Sequence, residues 1–154
     1  MGSLAKSGMK PPLARWIDGE LFKATSTPDG PATLGLKRVD GGVAARAWGP
    51  GADWALAMAP AWVGAKDDPT GFEPLHPVLV EQHRKHPGMR MGHTGRVFDA
   101  LLWVILGQKV TVKGAGISRR ALYTTFGEPA PGPVDLLLPP SPERLKRVAY
   151  YELH

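Results

Sequence analysis

The sequence predicts an α+β fold in which a small antiparallel sheet precedes a group of helices. Three short segments with strand-type patterns are separated by tight-turn residues in the first third of the chain. Apolar patterns of helical type and helix-capping residues follow in the rest of the chain. With 154 residues, of which 43% are hydrophobic, the chain is long enough and apolar enough to build one ordinary domain with a buried core.

The strands of this sheet are expected at residues 20–26, 32–38 and 43–48. In the second segment, Leu34 and Leu36 alternate with polar or small residues, as on a strand with one buried face. The connections at residues 28–30 and 40–42 both contain Asp-Gly, which tight turns favour. Residues 1–15 show no such pattern and are expected to form a loose tail.

Helices are expected at residues 52–58, 77–86, 97–106 and 112–126, and another is expected to begin at residue 142. Pro60 should break or bend the first of them. Residues 97–106 are apolar on every side, which predicts a centrally buried helix. Thr111 and Ser141 are the expected N-caps of the last two helices, and Gly127 is expected to end the 112–126 helix in a left-handed conformation.

The pattern also suggests how the chain is divided. We expect a tail over residues 1–15, a sheet lobe with one helix over residues 16–68 and a partial helical domain over residues 69–154. Six prolines between residues 129 and 142 predict an extended connector inside the helical part.

Several function classes are excluded by composition. The chain has no cysteine, so it can form neither a disulfide nor a thiolate zinc site, and it has no cysteine nucleophile. No apolar run approaches the ~20 residues of a membrane span, and residues 1–12 lack the apolar segment of a secretory signal. We therefore expect a soluble cytoplasmic monomer without a cofactor.

The positive charge is concentrated in the middle of the chain. The net charge is +5, and residues 84–120 contain eight basic residues and a single acid, Asp99. A local surplus of this kind is typical of proteins that bind polyanions, and a solvated basic face is the alternative. His83 and His86 have a spacing that could chelate a metal, but no zinc-protease glutamate accompanies them, so no metal site is expected.

Residues 96–111 read RVFDALLWVILGQKVT. This block resembles the signature opening of the helix-hairpin-helix (HhH-GPD) DNA glycosylases, and within them the DNA-3-methyladenine glycosylase II family, whose bacterial forms carry ILxQKVT at this bend. Further similar segments occur in the same order, namely TPDGPATL at 27–34, WGPGA at 48–52, FGEP at 126–129 and SPERL at 141–145. The resemblance covers roughly residues 20–154 and implies the first helices of an all-α glycosylase domain after the sheet lobe.

The resemblance implies excision of alkylated bases from double-stranded DNA, a hydrolase reaction of base excision repair. Such enzymes extrude the damaged nucleotide and fill the gap with a wedge. In this family the wedge lies at the bend after the apolar helix, and the corresponding residues here are Gln108-Lys109. A lysine at position 109 favours a contact with a phosphate or a groove. An ordinary solvated turn is the alternative. The DNA-binding candidates are Gln108, Lys109, Thr111, Lys113, Arg90 and Arg96.

The resemblance also places the glycine-rich hairpin and the catalytic aspartate beyond His154, so no catalytic residue is assigned. Asp99 is expected to be a paired core or helix-end residue. Three hypotheses remain open: an N-terminal part of a truncated glycosylase that is inactive alone, a non-catalytic and sequence-independent DNA-binding module, or a poorly folded remnant.

Overall fold

A computed structural model describes residues 13–149, which form a mixed α+β fold. Its elements, in chain order, are β1 Ala14–Ile17, β2 Glu20–Thr27, β3 Gly30–Val39, β4 Gly42–Trp48, α1 Ala52–Trp62, α2 Pro77–Lys85, α3 Val97–Leu106, α4 Val112–Phe126, β5 Glu128–Pro129, β6 Leu137–Leu138 and α5 Pro142–Leu145. The sheet and helices therefore follow the order that the sequence predicts.

The chain packs as two units, which are described separately below. One unit contains the chain up to Ala57 together with the chain from Val97 onward, so it holds the sheet, α3, α4 and α5. The other unit is Met58–Arg96 and contains α2. Helix α1 begins in the first unit and ends in the second. The domain division expected between residues 68 and 69 stays a prediction.

The main sheet is an antiparallel meander in the order β1-β2-β3-β4. The pattern of residues identified three of its strands, and β1 was missed. This strand begins at Ala14, within the predicted tail, and its register places Trp16 opposite Leu21. Four residues give too short an alternation to recognise in the sequence, and pairing with β2 is what makes them a strand. The rest of the predicted tail, residues 1–12, lies outside the described residues.

The proline-rich connector supplies much of the core. Phe22 and Ala24 of β2 form a buried cluster with Val134, Leu136 and Leu138. The connector was expected to be extended only, but its two ends pair as β5 and β6, with Glu128 opposite Leu138. Prolines prevent longer pairing because they lack an N–H donor, whereas the leucines between them bury apolar surface against the sheet.

An ion pair crosses the sheet beside this core. Arg46 Nε donates to Glu20 Oε1 at 3.1 Å, and a second bond joins the same two groups. The guanidinium of Arg46 also lies 5.3 Å from the centre of the Trp48 ring. Gly35 is the residue between Phe22 and Arg46 in the register. A Cβ at Gly35 would overlap Glu20 Oε1 and lie 3.2 Å from the Trp48 ring, so the position needs glycine for space.

Side-chain caps start three of the helices. Thr111 Oγ1 accepts the Gly114 N–H at 3.1 Å, and Ser141 Oγ accepts the Arg144 N–H at 3.1 Å, which confirms both expected caps. His76 Nδ1 accepts the Val78 N–H at the start of α2, and this cap was not anticipated. Each bond satisfies an amide that has no partner within its helix.

Three expectations about the helices need correction. Helix α1 was expected to end at residue 58 with Pro60 breaking or bending it, but it continues through Pro60 to Trp62 and is not broken there, because a proline near a helix end removes only one hydrogen bond. Gly127 is extended (φ −76°) and not left-handed; glycine is needed there because a Cβ would overlap the carbonyl oxygens of Tyr123 and Leu138. Helix α3 has the predicted bounds but is not buried centrally: only Leu102 is buried within it.

Within residues 13–149, no helix combines the length and the apolar character needed to cross a bilayer.

We predict that Gly35→Ala destabilises the protein by about 1 to 3 kcal/mol, because the added methyl group displaces the Glu20 carboxylate or the Trp48 ring. Urea unfolding followed by circular dichroism measures this change. Gly42→Ala is the matched control, since its Cβ would meet no atom within 4 Å, and it should change stability by less than about 0.5 kcal/mol. Equal stabilities of the two variants would contradict the close packing at Gly35.

Candidate nucleic-acid interface

The connection between α3 and α4 projects as an exposed tip, here defined as residues 107–113 and called the α3–α4 tip. The last turn of α3 closes with the Gly107 N–H donating to the carbonyl oxygens of Trp103 and Val104, each at 3.1 Å. The Gln108 N–H then donates to the Ile105 carbonyl oxygen at 3.1 Å. These bonds fix the chain at the start of the tip, so the following residues are held by the helix.

The chain reverses at Lys109, which has a left-handed backbone (φ 56°). This conformation costs a non-glycine residue about 1 kcal/mol, and strained residues of this kind concentrate at functional sites. Lys109 is exposed, as is Gln108 before it. The tip is therefore at the surface of its unit, as a contact with an external ligand requires.

The first turn of α4 completes the tip. Thr111 uses its Oγ1 to hold the Gly114 amide and its carbonyl oxygen to accept the Ala115 N–H at 2.9 Å, and its hydroxyl hydrogen is free to donate to a ligand. Lys113 is exposed one residue before this capped amide. A helix N-terminus carries a partial positive charge, so the tip combines this charge with two lysines.

Two apolar side chains at the tip are exposed. Val110 is 53% exposed and Val112 is 85% exposed, one on each side of the Thr111 cap. The sequence places Val112 on the apolar face of α4, and this position at the helix start is not covered by the described residues. Both side chains are branched at Cβ and therefore have few rotamers.

Several cations of the basic central segment are paired or stacked within their own packing units. On α2, Arg84 and Lys85 both pair with Glu81, at 2.9 Å and 3.2 Å. Arg119 of α4 stacks on Trp103 of α3, with the guanidinium carbon 3.9 Å from the ring centre. Summing charge along the sequence thus overestimates the field that a ligand meets.

Of the six DNA-binding candidates, Gln108, Lys109, Thr111 and Lys113 come together at the tip. Within residues 13–149, neither Lys109 nor Lys113 pairs with a carboxylate. Arg90 and Arg96 belong to the other packing unit. The Arg90 guanidinium donates to the carbonyl oxygens of Pro87 and Met89, so it stabilises its own loop. Arg96 is half-buried, and its Nε atom is buried.

Charged groups from the sheet and from both helices that carry the tip act on one another. They are Lys23 of β2, Asp99 of α3, and Arg119 and Tyr123 of α4. Burial lowers the pKa of Lys23, and the negative charge of Asp99 partly offsets this change. Burial raises the pKa of Tyr123 to about 12. Asp99 lies in the first turn of α3, which agrees with the expected helix-end position, and its charge acts on Lys23 and Tyr123.

The histidines show no metal-binding arrangement in the part of the chain that the structure describes, where no group of three ligating residues occurs. The His83 ring lies edge-on to the Phe72 ring, with the centres 5.5 Å apart. These two residues line an apolar surface depression of about 390 Å³ in the Met58–Arg96 unit.

Comparison with known proteins gives the fold a precedent. No protein-family profile matches the chain, and no curated protein sequence matches it either. Among solved structures, the 3-methyladenine DNA-glycosylase from Archaeoglobus fulgidus has the same fold over 93% of this chain, with a TM-score of 0.73 and 14% sequence identity. The match covers 52% of that protein, so this chain spans about half its length.

We predict that Tyr123→Phe flattens the alkaline loss of stability. Burial raises the folded-state pKa of Tyr123 to about 12, above the unfolded value of about 10. The neutral hydroxyl therefore contributes its full stabilisation below pH 10. About 2 to 3 kcal/mol of this stabilisation is lost as the pH rises to 12. The lowered pKa of Lys23 has the opposite effect, since it increases the stability of the folded state as the pH rises toward 10.5. The wild type and Tyr123→Phe both contain Lys23, so this effect cancels in the comparison. Urea unfolding at several pH values between 8 and 12 measures the difference. Parallel curves for the two proteins would contradict the burial of the Tyr123 hydroxyl.

Proposed function

We propose that this chain is the N-terminal part of a DNA glycosylase that acts on alkylated bases in base excision repair. Within that protein, its role is to bind duplex DNA through the α3–α4 tip. The observation that carries the proposal is the fold shared with a 3-methyladenine DNA-glycosylase over 93% of this chain. The resemblance of residues 96–111 to the opening of such enzymes supports it from the sequence.

The properties of the tip suit a duplex backbone. Lys109 and Lys113 can each neutralise a phosphate, and the Thr111 hydroxyl and the N-terminus of α4 add hydrogen-bond donors. Gln108 and the exposed Val110 and Val112 are short side chains that can enter a groove or press on a base step. One turn thus carries groups that bind phosphates and groups that can enter a groove. This combination supports the wedge-type contact that base extrusion requires.

Asp99 is the acidic residue nearest to the α3–α4 tip in the sequence, and its position does not suit catalysis. Asp99 lies in the first turn of α3, about 13 Å from Gln108 along the helix axis as estimated from the rise per residue of an α-helix. It is half-buried, and its charge acts on Lys23 and Tyr123 inside the unit. We therefore infer that this chain contributes DNA binding and that the glycosidic bond is cleaved by groups outside it.

We predict that replacing both tip lysines (Lys109→Gln with Lys113→Gln) weakens duplex binding about tenfold or more at moderate salt. Each lost phosphate contact also reduces the slope of log affinity against log salt by about 1, so the double variant should lose about 2. Fluorescence anisotropy of a labelled duplex, titrated at several salt concentrations, measures both quantities.

A charge-matched control is Lys37→Gln with Lys146→Gln, two exposed lysines on β3 and after α5. It removes the same net charge away from the tip and should leave the slope nearly unchanged. If the two double variants weaken binding equally, the tip is not the DNA contact, and a general attraction of the basic chain explains the affinity.

We expect no release of alkylated bases from methylated duplex DNA by the purified chain, measured by chromatography of the free bases. Detectable turnover would show that a group within this chain is catalytic, and Asp99→Asn would then be the first variant to examine. A comparison of the chain's affinities for alkylated and unmodified duplexes separates the alternative of a sequence-independent DNA-binding module. Such a module would bind both duplexes equally, whereas a glycosylase part whose tip presses on a weakened base step should prefer the alkylated duplex.

A further inference from the structure

A shallow recess lies at the α3–α4 tip, within one packing unit. It has a volume of about 290 Å³. The end of α3, the tip itself and the first turn of α4 form its walls, and the lining residues are Trp103, Val104, Gly107, Val110, Val112 and Ala115. Small-molecule pockets have volumes of about 300 to 1,000 Å³, so a recess at the lower end of this range suits a single flat ring system.

Trp103 is the aromatic residue of the recess, and its ring is held by a neighbour. The guanidinium carbon of Arg119 lies 3.9 Å from the ring centre, and Trp103 is still 39% exposed. Burial lowers the pKa of Arg119, which shows that its cation is partly withdrawn from water, where attraction to an aromatic ring is stronger. A ring that is already fixed loses little conformational freedom when a ligand packs against it.

The charges beside the recess suit a nucleotide. Lys109 and Lys113 are exposed and are sequence neighbours of lining residues of the tip. Each lysine can bind a phosphate while a base packs against Trp103, and the Thr111-capped N-terminus of α4 favours an anion in the same region. An aromatic surface with cations next to it is the combination that binds unpaired nucleotides.

The lining offers almost nothing that could read the identity of a base. Among its six residues, the indole N–H of Trp103 is the one hydrogen-bonding group in a side chain. Proteins that recognise particular unstacked bases use hydrogen bonds to the base edges, whereas stacking tolerates every base. The recess therefore suits an unpaired base of any sequence.

We propose that this recess holds one unpaired base of DNA against Trp103 without reading its identity. The proposal rests on the proposed function, because it assumes that the tip contacts DNA. A tip that presses on a base step unstacks a base beside itself, and stacking on Trp103 stabilises the opened step. The recess thus holds a displaced base, which is a different task from selecting a damaged one.

Fluorescence anisotropy with two labelled duplexes, one fully paired and one with a single looped-out adenine, tests the proposal. The wild type should bind the second duplex about tenfold more tightly, as expected from the stacking of one base on an aromatic ring. Trp103→Leu should reduce this preference to about twofold or less. Trp16→Leu is the matched control, since Trp16 is a tryptophan of similar exposure (41%) on β1 outside the recess, and it should retain the preference.

A second variant narrows the recess and keeps Trp103. Val104→Met places a longer side chain in the lining and should reduce the preference at least about threefold. Its control is Val97→Met, because Val97 is an exposed valine of the same helix outside the recess. Each preference is a ratio of two affinities of one protein, so a general change in DNA binding cancels. Circular dichroism identifies any variant that has lost its fold.

A third duplex tests whether the base is read. Replacing the looped-out adenine by guanine changes the hydrogen-bonding edges and keeps the ring system, so the wild-type affinity should change by less than about threefold. A difference of about tenfold or more would show that the recess selects its base, and the proposal would be wrong in that respect.

The outcomes separate this proposal from the proposed function. Equal wild-type affinities for the paired and looped-out duplexes would overturn the recess as a base site, even where the tip lysines bind the paired duplex. A preference that persists in a folded Trp103→Leu or Val104→Met protein would overturn it as well, because it would come from the flexibility of the looped-out duplex. Failure of the proposed function gives a different result, namely no specific effect of the tip lysines on binding to the paired duplex.

Discussion

The burial of β6 between the sheet and α4 holds the larger packing unit together. This strand contacts both β2 and α4, and its Leu138 is buried with Phe22 and Ala24 in the cluster on one face of the sheet. A segment of two residues can do this because the connector before it adds Val134 and Leu136 to the same cluster. The position of α4, and with it the tip, depends on apolar burial by a segment with almost no regular structure.

The tip receives its rigidity from this arrangement. Buried Ala115 and Tyr123 anchor α4, and buried Leu102 anchors α3. Arg119 joins the two helices by stacking on Trp103. A turn that is mounted on two anchored helices can hold Lys109 in a left-handed conformation, since the surrounding bonds offset the strain. The tip is therefore an exposed basic turn that is firmly attached to its packing unit.

The side chains of α3 differ in burial. Leu102 is buried, whereas Val97, Leu101, Val104 and Ile105 are 50% to 80% exposed. The apolar composition of residues 97–106 predicted burial on every side, and it does not show which of these side chains the rest of the described residues covers.

The sequence by itself determined most of the local structure. Three strands, the bounds of α3, and the caps Thr111 and Ser141 were predictable, because alternation and capping are properties of neighbouring residues. The bend after α3 followed from the same kind of local signal, whereas its candidacy for DNA contact came from the resemblance of residues 96–111. Only the tertiary structure decided the features that depend on residues far apart in the chain: strand β1, the core role of the proline-rich connector, the pairing of Glu20 with Arg46, and the exposure of α3. Burial and long-range pairing depend on which surfaces of the folded chain meet. The pattern of neighbouring residues does not specify those contacts.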